Sequence, residues 1–289
     1  MNKKIIISAV IALSVVSVSY MVRNEANDSK KGAVVLKKDS GQGKELEQKI
    51  LAFSIDGRSP KGAKQWHLEG DSAEIIEEAI HLQKLRGVAY AEEDTIRLIA
   101  DAGIYRKDPG EVELIGNVEV LSDGGIALTT ERAKWSQETE EISSDQEVTI
   151  VKDNMSATGM GGMANSDEGK AVLYKDVRVK IEPSTKVRCD GSLDVDYGNN
   201  VAVFHDNVFV EDHEGKLFAD TLTVEFDPGT KRLNQVIAEG NVKVKKGDSY
   251  TVSEKAIYSE STKSAKLLGR PRLILDPEQL SKLDNMGFE

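Results

Sequence analysis

"GNVEV", Gly116–Val120, is the stretch whose reading decides the fold, because the chain nearly spells it twice more, as "DNVFV" at Asp206–Val210 and "GNVKV" at Gly240–Val244. In an extended chain the two valines of each copy share one face, and the polar residues between them share the other. Period two over short segments predicts strands with one apolar face. Looser relatives fill the intervals: "RGVAY" at Arg86–Tyr90, "QEVTI" at Gln146–Ile150, "KDVRV" at Lys175–Val179 and "GRPRL" at Gly269–Leu273. Their central residues, Val88, Val118, Val148, Val177, Val208, Val242 and Pro271, are spaced 30, 30, 29, 31, 34 and 29 residues apart.

A second marker runs in phase with the first. An acid is followed two positions later by a small or apolar residue, and then by a larger one. It reads "DAGIY" at Asp101–Tyr105, "ERAKW" at Glu131–Trp135, "DTLTV" at Asp220–Val224 and "EKAIY" at Glu254–Tyr258, with "CDGSLDV" at Cys189–Val195 and "DSAEI" at Asp71–Ile75 as weaker copies. Turn signals separate the markers, among them "KDPGE" at Lys107–Glu111, "SDGG" at Ser122–Gly125, "DPGTK" at Asp227–Lys231 and "KKGD" at Lys245–Asp248. Two turns and two strand stretches per interval predict an antiparallel up-and-down unit of about 30 residues, stacked so that each unit buries its apolar face against its neighbours. The segment "DSAEIIEEAIHLQKL", Asp71–Leu85, is helix-compatible by composition, but the phase of the markers runs through it and predicts strand.

Composition narrows the function. Lys and Arg total 38 against 49 Asp and Glu, for a net charge of −11. Nucleic acid is excluded as a partner, because phosphate binding needs a basic field. The single cysteine, Cys189, forms neither an internal disulfide nor a cysteine-based zinc site. Residues 1–22 read as a membrane anchor. Lys3 and Lys4 precede an uncharged run, Ile5–Val22, of 18 residues, close to the length that spans a bilayer. Lysines in front place the N-terminus in the cytoplasm and the bulk of the chain across the membrane. The alternative is a cleaved signal peptide, with Ser17-Val18-Ser19 as the small-residue site. Residues 23–48 are polar and lysine-rich and read as a linker, with Lys44–Leu51 compatible with a short helix.

Three constellations invite chemistry and are better read as structure. His205 and His213 flank "HDNVFVEDH", but no further ligand pattern joins them, so no metal is expected. Met155, Met160 and Met163 in "MSATGMGGM" fit a bent strand better than a copper site. The many carboxylates recur with the turns, and no nucleophile-elbow, phosphate-loop or zincin string occurs. Catalytic residues, cofactors and metals are therefore expected to be absent, and the protein is expected not to be an enzyme.

"WHLEGDSA" at Trp66–Ala73, followed by "IHLQKLRGVAY" and "LIADAGIY", resembles the LptC family, the membrane-anchored periplasmic component of lipopolysaccharide export. The family's order of Trp, Leu, small residue and Ala is met by Trp66, Leu68, Gly70 and Ala73. The later stretches "FADTLTVEF", "AEGNVKV" and "VSEKAIY" resemble the related LptA/OstA-like bridge domain. The resemblance implies an all-β, elongated antiparallel β-jellyroll, LptC-like over 49–185 and LptA/OstA-like over 186–275, with a tail at 276–289. It implies an inner-membrane, single-pass, periplasmic protein. Lipopolysaccharide would come from an ABC transporter and pass to an LptA-like bridge or an outer-membrane translocon by edge-strand pairing. Candidate edges are Phe53–Ile55 and Arg272–Leu275. The expected lining of an apolar trough for the acyl chains is Ile104, Val118, Val120, Leu128, Trp135, Val148, Ile150, Val177, Val179, Val208, Val210, Val224, Val242, Val244 and Tyr258. For any one of these residues, packing in a dry core is the competing reading. The rival functions are a strand-edge scaffold that carries no lipid and a polysaccharide-acting β-helix enzyme.

Overall fold

The computed structural model describes residues 48–58, 64–76, 79–90, 95–106, 110–136, 139, 141–165 and 168–275. The expected anchor, the linker up to residue 47 and the tail from 276 lie outside the described residues. Among the described residues there is no helix, and so none long and apolar enough to cross a membrane. The described residues form seventeen strands: β1 (Gln48–Arg58), β2 (Lys64–Ile76), β3 (Ala79–Tyr90), β4 (Thr95–Arg106), β5 (Glu111–Ser122), β6 (Ile126–Ser136), β7 (Glu141–Lys152), β8 (Met155–Asn165), β9 (Lys170–Ile181), β10 (Thr185–Cys189), β11 (Leu193–Asp196), β12 (Val201–Glu211), β13 (Lys216–Phe226), β14 (Leu233–Lys246), β15 (Ser249–Ser259), β16 (Ser264–Leu268) and β17 (Arg272–Ile274). The all-β, antiparallel expectation holds: β2 to β7 pair in sequence as antiparallel neighbours, as do β12 to β15.

Within the helix-compatible segment Asp71–Leu85, residues 71–76 and 79–85 are strand, as the phase predicts. They are divided between β2 and β3, with Ile75 opposite Ile80 and Ala73 opposite Leu82. The short helix compatible with Lys44–Leu51 does not form over Gln48–Leu51. Those residues belong to β1 and pair along β2, with Leu51 opposite Ser72. The Phe53 ring lies where a Cβ at Gly70 would stand, so the pairing seats a large side chain on a glycine of the next strand.

The three near-identical pentapeptides share a backbone device. In β5, Gly116 (φ 76°) and Asn117 (φ 47°) both occupy the left-handed region; so do Asp206 and Asn207 in β12, and Gly240 and Asn241 in β14. Each pair inserts one extra residue into its strand. Ile115 faces Arg132 and Val118 faces Thr130, three steps against two; His205–Val208 against Thr221–Ala219 and Glu239–Val242 against Lys255–Ser253 repeat the count. These are β-bulges, which bend a strand and re-aim everything beyond them. Asparagine tolerates the left-handed region better than other L-residues, since its short amide bonds locally.

The acidic marker answers the bulge across the ladder. The Asn117 amide donates to Asp101 at 2.6 Å, Asn207 to Asp190 at 2.9 Å and Asn241 to Asp220 at 2.9 Å. Lys84 also donates to Asp101, at 2.7 Å. The Lys84 and Asn117 hydrogen bonds hold the Asp101 carboxyl below the usual carboxylate range. Glycine is required at 240 on two counts: its φ is +76°, and a Cβ there would collide with the Asp220 carboxylate.

The described residues form two compact units, one taking in 48–153 and 158–173, the other 154–157 and 174–275. In the first, Phe53, Leu82, Leu85, Leu114 and Val118 pack into a buried cluster, with Leu68, Ile80, Leu98, Val112 and Ile142 against it. In the second, Val177, Ala202, Phe204 and Val208 are at most 1% exposed. The core side chains come from alternate positions of each strand, as in β10, where Thr185, Val187 and Cys189 are buried and Lys186 and Arg188 are exposed.

Candidate functional site

Strand register turns the alternating residues into cross-strand rows. In the second unit, Val179, Val187, Val210, Leu217 and Val244 stand directly opposite one another on β9, β10, β12, β13 and β14, and the row continues through Thr251 to Leu273. On the other side of the bulges, Ala202, Val224, Val236 and Tyr258 form a comparable row. In the first unit the rows are Leu98–Val120–Leu128–Ile150 and Ile80–Tyr105–Val112–Trp135–Ile142.

Fourteen of the fifteen residues expected to line a trough fall on the apolar faces. They divide by burial. Val118, Val208 and Val242, each beside a bulge, and Val177 in β9 are at most 1% exposed, and Val179 and Ile150 at most 2%. Val120, Val148 and Val224 are also buried. Leu128, Trp135, Val210, Val244 and Tyr258 are half-buried. Each unit therefore has a dry apolar floor and apolar positions that are partly open. The floor contributes packing energy, whereas the open rows offer surface to a ligand.

Ile104 is placed differently. It stands opposite His81 and Glu113, on the polar face of the first unit, while its neighbour Tyr105 stands opposite Ile80 and Val112 on the apolar face. The physical reason is parity. In "DAGIY", as in "ERAKW" and "EKAIY", the large residue four positions after the acid takes the acid-marker's apolar face, and Tyr105 is the counterpart of Trp135 and Tyr258. That count would have selected Tyr105. Leu217, Val112 and Val236 were also passed over, since no motif marks them and only register brings them into line.

The interior is chemically quiet. Cys189 is buried, and desolvation, aided by the Asp190, Asp206 and Asp194 charges and opposed by a backbone hydrogen bond at His205, pushes its thiol up to about 11. A thiol so placed is a packing group rather than a nucleophile. The Tyr258 hydroxyl donates to Glu260 at 2.9 Å; desolvation and this bond push the phenol up to about 12. Among the described residues no three His, Cys, Asp or Glu side chains converge as metal ligands. His205 lies 3.2 Å from Asp194 and His213 lies 3.8 Å from Glu214. Met155 is buried and Met160 exposed.

Comparison with known proteins gives two adjoining matches. Residues 9–182, more than half of the chain, match the family described as lipopolysaccharide-assembly, LptC-related. Residues 190–282 match the LptA/(LptD N-terminal domain) LPS transport protein family. Among solved structures, the chain is similar to LptH from Pseudomonas aeruginosa, described as the LptA-homologous periplasmic component of the lipopolysaccharide transport device. The identity is 16% and the TM-score 0.35, over 43% of this chain and 95% of LptH. No curated relative matches the chain. With its first match spanning every strand from β1 to β9, the chain belongs to the LptC-related family of lipopolysaccharide-assembly proteins and carries an LptA-like region after it.

Proposed function

We propose that this protein is an inner-membrane-anchored periplasmic bridge that takes lipopolysaccharide from an ABC transporter and passes it along its apolar faces toward the outer membrane. The observation that carries this reading is the row Val179–Val187–Val210–Leu217–Val244, an unbroken apolar line across five strands that is half-open at Val210, Leu217 and Val244. An acyl chain gains about 0.8 kcal/mol for each methylene taken out of water, so a chain cannot cross an aqueous space unshielded. Like rows on successive strands give it equivalent stations, and motion between them meets no deep trap. The stacked units of about 30 residues supply those stations, over an LptC-like 49–185 and an LptA-like 186–275.

The terminal strands suit hand-over. Leu51 in β1 is 74% exposed, and Leu273 in β17 is 61% exposed at the end of the apolar row. A neighbouring sheet could add at either edge and continue the line, reaching a bridge protein or an outer-membrane translocon. Ile5–Val22 would tether the chain, with its N-terminus in the cytoplasm.

Photo-crosslinking in cells tests the reading. A crosslinking residue in place of Leu128 or Val244 is expected to capture lipopolysaccharide, and purification of the tethered protein in detergent is expected to bring down an ABC transporter. Crosslinks to protein alone would support a strand-edge scaffold instead.

A further inference from the structure

The opposite face of the second unit is unlike the rest of the molecule. In register across β9, β10, β12, β13 and β14 stand Arg178, Arg188, Phe209, Phe218 and Lys243. The next row outward is Lys180, Lys186, Glu211, Lys216 and Lys245. These two rows thus hold seven cations and one carboxylate, on a chain whose net charge is −11. Three like-charge pairs are directly opposite: Arg178 with Arg188, Lys180 with Lys186, and Lys216 with Lys245. Such pairs destabilise a sheet. Lys216 forms an ion pair with Glu211 at 2.9 Å, and the same carboxylate also stands opposite Lys186. The corresponding row of the first unit, Glu69, Arg86, Ile99, Glu119 and Thr129, shows no such excess.

The two phenylalanines give this face a second character. Their ring centroids are 4.9 Å apart, the Arg188 guanidinium lies 4.5 Å above Phe209, and Phe218 is 37% exposed. Beside them is a hollow of about 500 Å³ whose lining includes Arg178, Arg188 and Phe218 together with Asp176, Asp190 and Asp220. Asp190 and Asp220 are held in place by Asn207 and Asn241. Guanidinium groups match phosphate oxygens in a bidentate fork, aromatic faces stack on the C–H faces of sugars, and carboxylates accept from sugar hydroxyls. A flat bilayer of anionic headgroups would use the cations but neither the hollow nor the carboxylates.

We propose that this outward face binds the phosphorylated saccharide of the glycolipid, with Arg188 and Lys243 holding phosphate and Phe218 stacked on a sugar ring. The proposal rests on the lipopolysaccharide reading above and deepens it. Acyl chains would lie on one face of the second unit and the head would wrap onto the other.

The test titrates the full-length chain in detergent micelles with fully deacylated lipopolysaccharide, a phosphorylated saccharide with no acyl chain, by calorimetry. Saturable binding is expected. Dephosphorylating the saccharide, or the double variant R188E/K243E, is expected to weaken it by about tenfold or more. Arg188→Glu relieves the repulsion with Arg178 but gives up the stack on Phe209, so binding is compared at a temperature where melting curves show parent and variant both folded; Phe218→Ala, charge-neutral, gives an independent loss. If the deacylated saccharide does not bind while intact lipopolysaccharide still crosslinks at Val244, the outward site is overturned and the interior reading stands. Binding of the saccharide without any crosslink at Val244 would uphold the outward site and remove the interior reading. Equal binding to phosphatidylglycerol vesicles, lost in the same variants, would make the face a general anionic surface and also overturn the proposal.

Discussion

Gly240→Ala should damage the second unit more than an ordinary glycine substitution, by an amount the geometry bounds. Gly240 and Gly247 both have left-handed backbones, with φ of +76° and +61°, but nothing lies within 4 Å of a Cβ at Gly247. Gly247→Ala therefore suffers backbone strain alone, about 1 kcal/mol, a roughly fivefold change in an opening equilibrium. At Gly240 the new methyl collides with the Asp220 carboxylate, which must swing away and release the Asn241 amide. Loss of that bond adds about 1 kcal/mol, for a total effect of roughly 30-fold. Hydrogen exchange of the β13 and β14 amides in the full-length chain is the right assay, because both tryptophans, Trp66 and Trp135, lie in the other unit and their fluorescence would report on it. Asp220→Ala should shrink the excess without abolishing it, since the Asp220 Cβ still lies 2.8 Å from the added methyl. Equal exchange in Gly240→Ala and Gly247→Ala, or an excess that survives intact without the Asp220 carboxylate, would refute the clamp.

Other consequences follow from the same packing. Phe204 is fully buried, so Phe204→Ala should cost about 3–5 kcal/mol, measured by the same exchange experiment on β12. Cys189, buried and with its thiol pushed up to about 11, should react with iodoacetamide at pH 8 at least 100-fold more slowly than a free thiol, and at full rate in urea. The lowered folded-state pKa of Asp101 means that its contribution is present above the ordinary 3.8 and lost as pH falls through the lower folded value. Asp101→Asn should accordingly separate from the parent in thermal stability at neutral pH and converge with it in acid.

The strands were legible because their cause is local. Valine alternation in "GNVEV" and its relatives fixes which side chains share a face, and turn chemistry fixes where strands end. Even the helix-compatible Asp71–Leu85 yields to phase, with Ile75 in β2 opposite Ile80 in β3. The bulge was not legible. A Gly-Asn pair reads equally well as a turn, and only pairing with the next strand shows that it adds one residue to the strand. Parity beyond such a bulge slips easily by one, which is how Ile104 and Tyr105 exchange faces. The cationic face was hidden for a different reason. Arg178, Arg188 and Lys243 are 65 positions apart from first to last, and each looks like an ordinary solvated residue until register sets them side by side. The distinction between dry floor and open row was equally invisible, because the same valine in the same pentapeptide is sealed at Val242 and half-open at Val244.

The central claim is that acyl chains lie along the apolar rows of alternate residues. Lipopolysaccharide bearing a photoreactive group on an acyl chain, bound to the full-length protein and irradiated, can be mapped by mass spectrometry to single residues. Adducts are predicted at Val210, Leu217, Val244 and Tyr258, skipping the residues between them. Adducts on Phe218 and Lys243, or spread over both faces of β13 and β14, would contradict it.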